Sequence, residues 1–229
     1  MGFVRLGTPR TNRPGDELCL QAARDGPSGA SMTDTGLLGS AAARSGHFLL
    51  ESGHHGDLWL DLELLCLRPR EIAGAVAALA EQLRPCDVDA VCGPLNEGAF
   101  VALLVAAKLD VAFTYAERFE SPDRDRLFSV QYRIPAALRA TVVDKRVAIV
   151  NDVISAGSAV RGAHADLLAC GAASVAIAAL LVLGESAEQF AREKGVSLIS
   201  LASRPFRLWE PAGCPLCAVG VPLNDRGEP

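Results

Sequence analysis

From Pro69 onward the apolar positions switch repeatedly between a helical period and short unbroken runs. Ile72, Val76, Leu79, Ala80 and Leu83 share one face of a helix over 69–83, which Pro69 opens at its first turn. Apolar runs at 88–92, 111–115, 146–150, 175–183 and 198–201 predict strands. Between them, 99–108, 157–170 and 185–194 predict helices. Strands too continuously apolar to have a wet face, alternating with helices, indicate an α/β fold with a parallel sheet flanked by helices on both faces. Upstream, Thr33-Asp34-Thr35 reads as a helix start, because a short side-chain oxygen satisfies free N–H groups there. That helix is predicted to run to Ser45 and stop at Gly46. Two short runs, 47–50 and 57–61, flank Ser52-Gly53-His54-His55-Gly56 and predict a β-hairpin. Residues 117–144 form a long, charged, irregular segment with one short strand expected at 128–132.

Composition narrows the function. Of 229 residues, 50% are hydrophobic, enough for a full core. The net charge of −5 and the scatter of basic residues give no stripe for nucleic-acid phosphates, so no nucleic-acid partner is expected. The longest uncharged apolar run, 172–183, falls short of the roughly 18 residues of a membrane helix, so no membrane partner is expected either. Residues 1–31 lack the apolar centre of a secretory signal and are rich in Gly, Pro, Arg and Asp. They read as a flexible extension, with Met32 placed to serve as an alternative start. Of the seven cysteines, Cys19, Cys66, Cys86, Cys92, Cys170 and Cys214 show no disulfide-like spacing, and reduced thiols in a cytoplasmic protein are the expectation.

The segment 147–160 carries the chemistry: Val-Ala-Ile-Val-Asn-Asp-Val-Ile-Ser-Ala-Gly-Ser-Ala-Val. An apolar strand ends in a polar pair, then small hydroxyl residues and a glycine lead into a helix. Free N–H groups and the helix dipole favour an anion at such a helix start. Ser155 and Ser158 add hydroxyl donors, and Gly157 lets the backbone come close. Asp152 suits neutral sugar hydroxyls one step away.

This segment resembles the ribose-phosphate motif of type I phosphoribosyltransferases. The resemblance extends over about 33–201, most closely to orotate phosphoribosyltransferases. Gly93-Pro94-Leu95-Asn96-Glu97-Gly98 matches the family's pyrophosphate loop in position. Gly46–Gly53 with Leu58–Asp61 resembles the N-terminal hood that closes over the base, and 118–133 matches a mobile catalytic loop. The implied domain is 32–202, with a hood at 32–68, a core at 69–202 and a tail at 203–229. The resemblance implies transfer of ribose 5-phosphate from phosphoribosyl pyrophosphate to a small base with release of pyrophosphate, Mg²⁺ as cofactor, and a homodimer. It assigns sugar hydroxyls to Asn151 and Asp152, and the 5-phosphate to Ser155, Ala156, Gly157 and Ser158. Asn96, Glu97, Gly98 and Arg118 join the substrate site, and Asp152, Arg124 and Arg126 carry catalysis.

The chain departs from the family in charge. Glu51 and Glu97 stand where those enzymes typically have lysines. No lysine lies between Lys108 and Lys145, where only Arg118, Arg124, Arg126, Arg133 and Arg139 are basic. Leu183, Gly184 and Glu185 occupy the place of the arginine that pairs with orotate's carboxylate. Mg²⁺ bridging Glu97 to the diphosphate would restore the sign. A non-catalytic paralogue that binds a phosphoribosyl ligand is the alternative reading.

Cys214-Pro215-Leu216-Cys217 resembles half of a zinc knuckle. A structural zinc takes four ligands and only one pair is present, so a tight cysteine turn is favoured over a metal site unless Cys66, Cys86 or a dimer contact completes it. His54 and His55 in a Gly-flanked turn read as solvated, and His47 and His164 as surface or cap residues.

Overall fold

The computed structural model describes residues 17–21, 43–120 and 130–225. Its core is a six-stranded sheet in the order β5-β4-β3-β6-β7-β8. The strands are β3 (Ala90–Pro94), β4 (Ala112–Glu120), β5 (Val130–Arg133), β6 (Arg146–Ile154), β7 (Ala173–Leu183) and β8 (Ser197–Arg204). Neighbours are parallel except β4 and β5. The period of two sorts side chains onto two faces. Ala148 and Val150 of β6, with Ala176, Ala178 and Leu180 of β7, face α1 (Pro69–Leu83) and α2 (Glu97–Leu109). Val147, Ile149, Ile177 and Ala179 face α3 (Ser158–Ala169) and α4 (Ser186–Lys194). Both faces are dry, which is why β6 and β7 read as unbroken apolar runs.

A second sheet forms the hood, in the order β10-β1-β2-β9. Its centre is the hairpin of β1 (Ala43–Leu49) and β2 (His55–Leu60). The predicted helix over 33–45 fails at its end, because Ala43, Arg44 and Ser45 pair with Leu60, Trp59 and Leu58. Cross-strand contacts such as Phe48 on Trp59, ring centroids 5.9 Å apart, outweigh a local helix signal there. The rest of that predicted helix lies outside the described residues. The outer hood strands come from the other end of the chain: β9 (Leu208–Trp209) on β2 and β10 (Asn224–Asp225) on β1. The segment after β8, residues 205–225, therefore supplies two strands of the hood sheet.

Two expectations are corrected at the N-terminus. Residues 17–21 are helical, and Cys19, 2% exposed, packs into the core as part of a disulfide with Cys86. The partners are 67 residues apart, so their pairing depends on how α1 ends rather than on any local spacing. Cys66, Cys92, Cys170, Cys214 and Cys217 are free, and burial pushes the Cys92 thiol up to about 12. The rest of the 1–31 extension lies outside the described residues. His164 is buried rather than at the surface, edge-on to Phe190. Among the described residues no helix is long and apolar enough to cross a membrane.

Denatured without reductant and with a chelator present, the chain should return five titratable thiols of seven. Reduction should expose all seven and remove about 4 kcal/mol of stability by the loop-closure relation. Seven thiols before reduction would refute the bridge.

Candidate active site

The strand order reverses between β3 and β6: α2 leaves β3 toward β4, and α3 leaves β6 toward β7. Loops at the carboxyl ends of such a pair diverge and leave a crevice. Residues 95–96 after β3 and 155–157 after β6 line that crevice, which holds about 180 Å³ and is open to solvent on one side.

Glycine sets how closely the two loops meet. A Cβ on Gly98 would collide with Asn151 Oδ1, and one on Gly93 would strike Ala99 and Ala102. Gly157 sits at φ +82°, in the left-handed region, and turns the chain into α3. Ser155 and Ser158 flank this turn at the helix N-terminus. Asn151, 8% exposed, spends its side-chain amide on the Val153 carbonyl at 2.8 Å. Asp152 is 3% exposed, and its Oδ2 has no hydrogen-bond partner among the described residues. Burial raises its carboxyl to about 7; the Val153 N–H offsets part of this, and Glu97 adds to it.

A second chamber lies between the crevice and the hood, bounded by Glu51, Trp59, Glu63, Arg118, Tyr132 and Phe206. Glu51 is held from the core side. The Tyr132 hydroxyl bonds to both of its oxygens at 3.0 Å, and Arg118 Nε lies 3.4 Å away. Burial, then the charge of Glu51, pushes the Tyr132 hydroxyl far above its ordinary value, so it remains a donor.

The structure thus brings Asn151, Asp152, Ser155, Ala156, Gly157, Ser158, Asn96, Glu97 and Gly98 to one crevice, and Arg118 to the adjoining chamber. Arg124 and Arg126 lie outside the described residues. Arg139 is bound to Asp166 at 2.9 Å, and Arg133 lies over Phe119 and bonds to Gln131. Sequence reading missed Tyr132, Glu63 and Phe206, whose roles come only from chain segments meeting in space.

Cys214 and Cys217 do not line the crevice. They meet His47 and His55 of the hood hairpin, and the four ligand atoms all lie within 4.8 Å of one another. His47 is 1% and His55 5% exposed, so neither is a solvated or surface residue.

A family model described as the phosphoribosyl transferase domain matches residues 67–204. The orotate phosphoribosyltransferase of Carboxydothermus hydrogenoformans is 31% identical over 195 residues, 84% of this chain and 94% of that protein. That of Thermotoga maritima is 28% identical over 190 residues, 82% of this chain and 94% of that one. Among solved structures, Aeropyrum pernix orotate phosphoribosyltransferase matches with a TM-score of 0.54 at 24% identity, over 71% of this chain and 88% of that one. Adenine phosphoribosyltransferase of Trypanosoma brucei matches with a TM-score of 0.59 at 14% identity, over 88% and 89%. At those identities the two structures speak for the fold alone. The family match spans both crevice loops and the sheet that carries them, and on that ground, together with relatives aligned over nearly their full length, the chain belongs to the type I phosphoribosyltransferase family.

Proposed function

We propose that this chain transfers ribose 5-phosphate from phosphoribosyl pyrophosphate to a ring nitrogen of a small base, with release of pyrophosphate. The observation that carries the reading is the buried Asp152 carboxyl with an unpartnered oxygen, beside a glycine turn at a helix N-terminus. A ribose 5-phosphate presents hydroxyls and a phosphate side by side. Ser155, Gly157 and Ser158 hold the phosphate, and Asn151 and Asp152 the sugar. The loop at Asn96, Glu97 and Gly98 faces the diphosphate, with Arg124 and Arg126 as the cations that reach it.

The crevice and chamber carry Glu51, Glu63, Glu97 and Asp152. Hard carboxylate oxygens of this kind fit Mg²⁺, with Glu97 as the residue to hold it. When bound, Mg²⁺ supplies charge neutralisation at the leaving diphosphate. The protein's own part is positioning: it fixes the ribose between Asp152 and the 155–158 turn while the hood excludes water. Ribose hydroxyls that donate to Asp152 favour its ionised form, and that negative charge suits the positive charge developing on the sugar. The relatives named orotate phosphoribosyltransferase make orotate the first base to offer. Among the described residues Arg118 is the cation lining the chamber, and meeting orotate's carboxylate requires it to exchange Glu51 for the substrate. The four carboxylates also favour a second reading, a binder without turnover.

Calorimetric titration with phosphoribosyl pyrophosphate and Mg²⁺ should show binding that Asp152→Ala weakens roughly 10- to 100-fold, the worth of a charged hydrogen bond. Pyrophosphate release with orotate, or with another pyrimidine, purine or pyridine base, then separates enzyme from binder. No binding by the wild type rejects both readings.

Asp152 also predicts a pH dependence. Its folded value lies above its ordinary 3.8, at about 7, so the native chain keeps a proton that the unfolded chain loses. Stability conferred by this group therefore falls as pH rises through that window, by at most about 4 kcal/mol. Asp152→Asn should melt above wild type at pH 8, with the gap closing below pH 4. An equal gap at both pH values would overturn this.

A homodimer is proposed through the apolar surface of α2. Phe100 and Leu103, with Leu64 and Leu67 before α1, are 45–71% exposed beside the crevice loop. Light scattering should give a dimer for wild type and a monomer for Phe100→Glu. A monomeric wild type sinks this proposal.

A further inference from the structure

We propose that His47, His55, Cys214 and Cys217 form a structural zinc site that clasps the hood hairpin to the C-terminal segment. The contacts are His47 Nε2 to His55 Nδ1 at 3.0 Å, Cys214 Sγ to His47 Nε2 at 3.3 Å, Cys217 Sγ to His55 Nδ1 at 3.4 Å and Cys217 Sγ to His47 Nε2 at 3.8 Å. A tetrahedral zinc with ordinary bond lengths places nitrogens about 3.4 Å apart and nitrogen and sulfur about 3.6 Å apart. These four contacts match those edges to within about 0.4 Å, and all four ligand atoms lie within 4.8 Å of one another.

Hydrogen bonding alone explains the cluster poorly. His47 Nδ1 lies 2.9 Å from the Val221 carbonyl, which can only accept. The proton of neutral His47 therefore sits on Nδ1, and Nε2 offers one lone pair. Three atoms converge on that lone pair within 3.8 Å. One cation between the four groups satisfies all of them. A ring N–H anchored on a carbonyl is also the usual way in which a ligating histidine is oriented. Two thiols and two imidazoles select zinc over Mg²⁺, and four protein ligands leave no open position for catalysis.

The sequence supplies each ligand for a local reason. Between the pairs Ser45–Leu58 and Phe48–Gly56, β1 has two residues and β2 one, a bulge that holds Gly46 and His47. Leu49 pairs with His55, and strand alternation puts His47 on that same face. Cys214 and Cys217 flank the start of α5 (Pro215–Ala218), the tight turn by which a Cys-x-x-Cys unit presents two sulfurs to one point. The hood residues Leu50, Glu51 and Ser52, which line the crevice, lie between the two histidines in the chain.

The test is elemental analysis of the full chain, purified without chelator and dialysed against micromolar zinc and excess Mg²⁺. The expected result is one zinc per chain, falling at least tenfold in the Cys214→Ser/Cys217→Ser variant. Cobalt exchanged into the wild type should give the intense visible bands of a tetrahedral thiolate–imidazole site, which needs no variant to fold. Wild type that retains no zinc, or cobalt with the pale spectrum of an octahedral oxygen site, overturns the proposal. None of these readouts depends on phosphoribosyl transfer, so the clasp and the activity stand or fall separately.

Discussion

The meeting of Gly98 with Asn151 sets the geometry on which the rest of the crevice depends. Parallel strands β3 and β6 send their helices to opposite faces, so their carboxyl-end loops diverge. What remains between them is narrow only because no Cβ stands at Gly98 to push the loops apart. That closeness buries Asn151 and Asp152 at the end of β6. The amide of Asn151 is satisfied locally, by Val153. One oxygen of Asp152 is not, and burial, offset only in part by the Val153 N–H, raises the affinity of the carboxyl for a proton. A ligand bringing hydroxyl donors would remove the cost of that burial, which is the physical ground for the sugar contact proposed at Asp152.

The acidic residues that replace expected lysines have structural work. Glu97 opens α2, where the positive end of the helix dipole favours a carboxylate by a few tenths of a kcal/mol to about 1 kcal/mol. Glu51 is fixed by Tyr132 of β5 and Arg118 of β4, and so ties the hood to the sheet edge. Its charge is opposed by Arg118 before any substrate arrives. The resulting crevice has no cationic side chain among its described lining residues.

What the sequence revealed was what local chemistry determines. Pro69 and the Ile72–Leu83 stripe set α1, which spans the predicted residues. The apolar run before Asn151 and the glycine turn after it placed the crevice loop, because strand, turn and helix start are adjacent in the chain. What escaped was non-local. Cys19 and Cys86 pair across 67 residues. His55 looked solvated and His47 a surface or cap residue because each stands beside a glycine in the chain, while their neighbours in space are cysteines some 160 or more residues away. The helix signal at 33–35 gave no warning that Ala43–Ser45 would be claimed by a partner strand.

The hood shows why such long-range ties matter. Its sheet has four strands, and the outer two are only two residues long. Two-residue strands add few hydrogen bonds, and a two-stranded hairpin alone is marginal in water. The apolar support beneath is thin as well: Leu58, Leu60 and Phe206 are only partly buried where they pack on Leu181 and Leu183. Yet the hood must hold Glu51 against Tyr132 and roof the chamber over the crevice. A cross-link joining β1, β2 and the turn before β10 would act where hydrogen bonds are fewest, and the four clustered ligands lie at that junction. In a small sheet that cannot bury enough to be rigid, a metal clasp supplies the order that a larger core would otherwise provide.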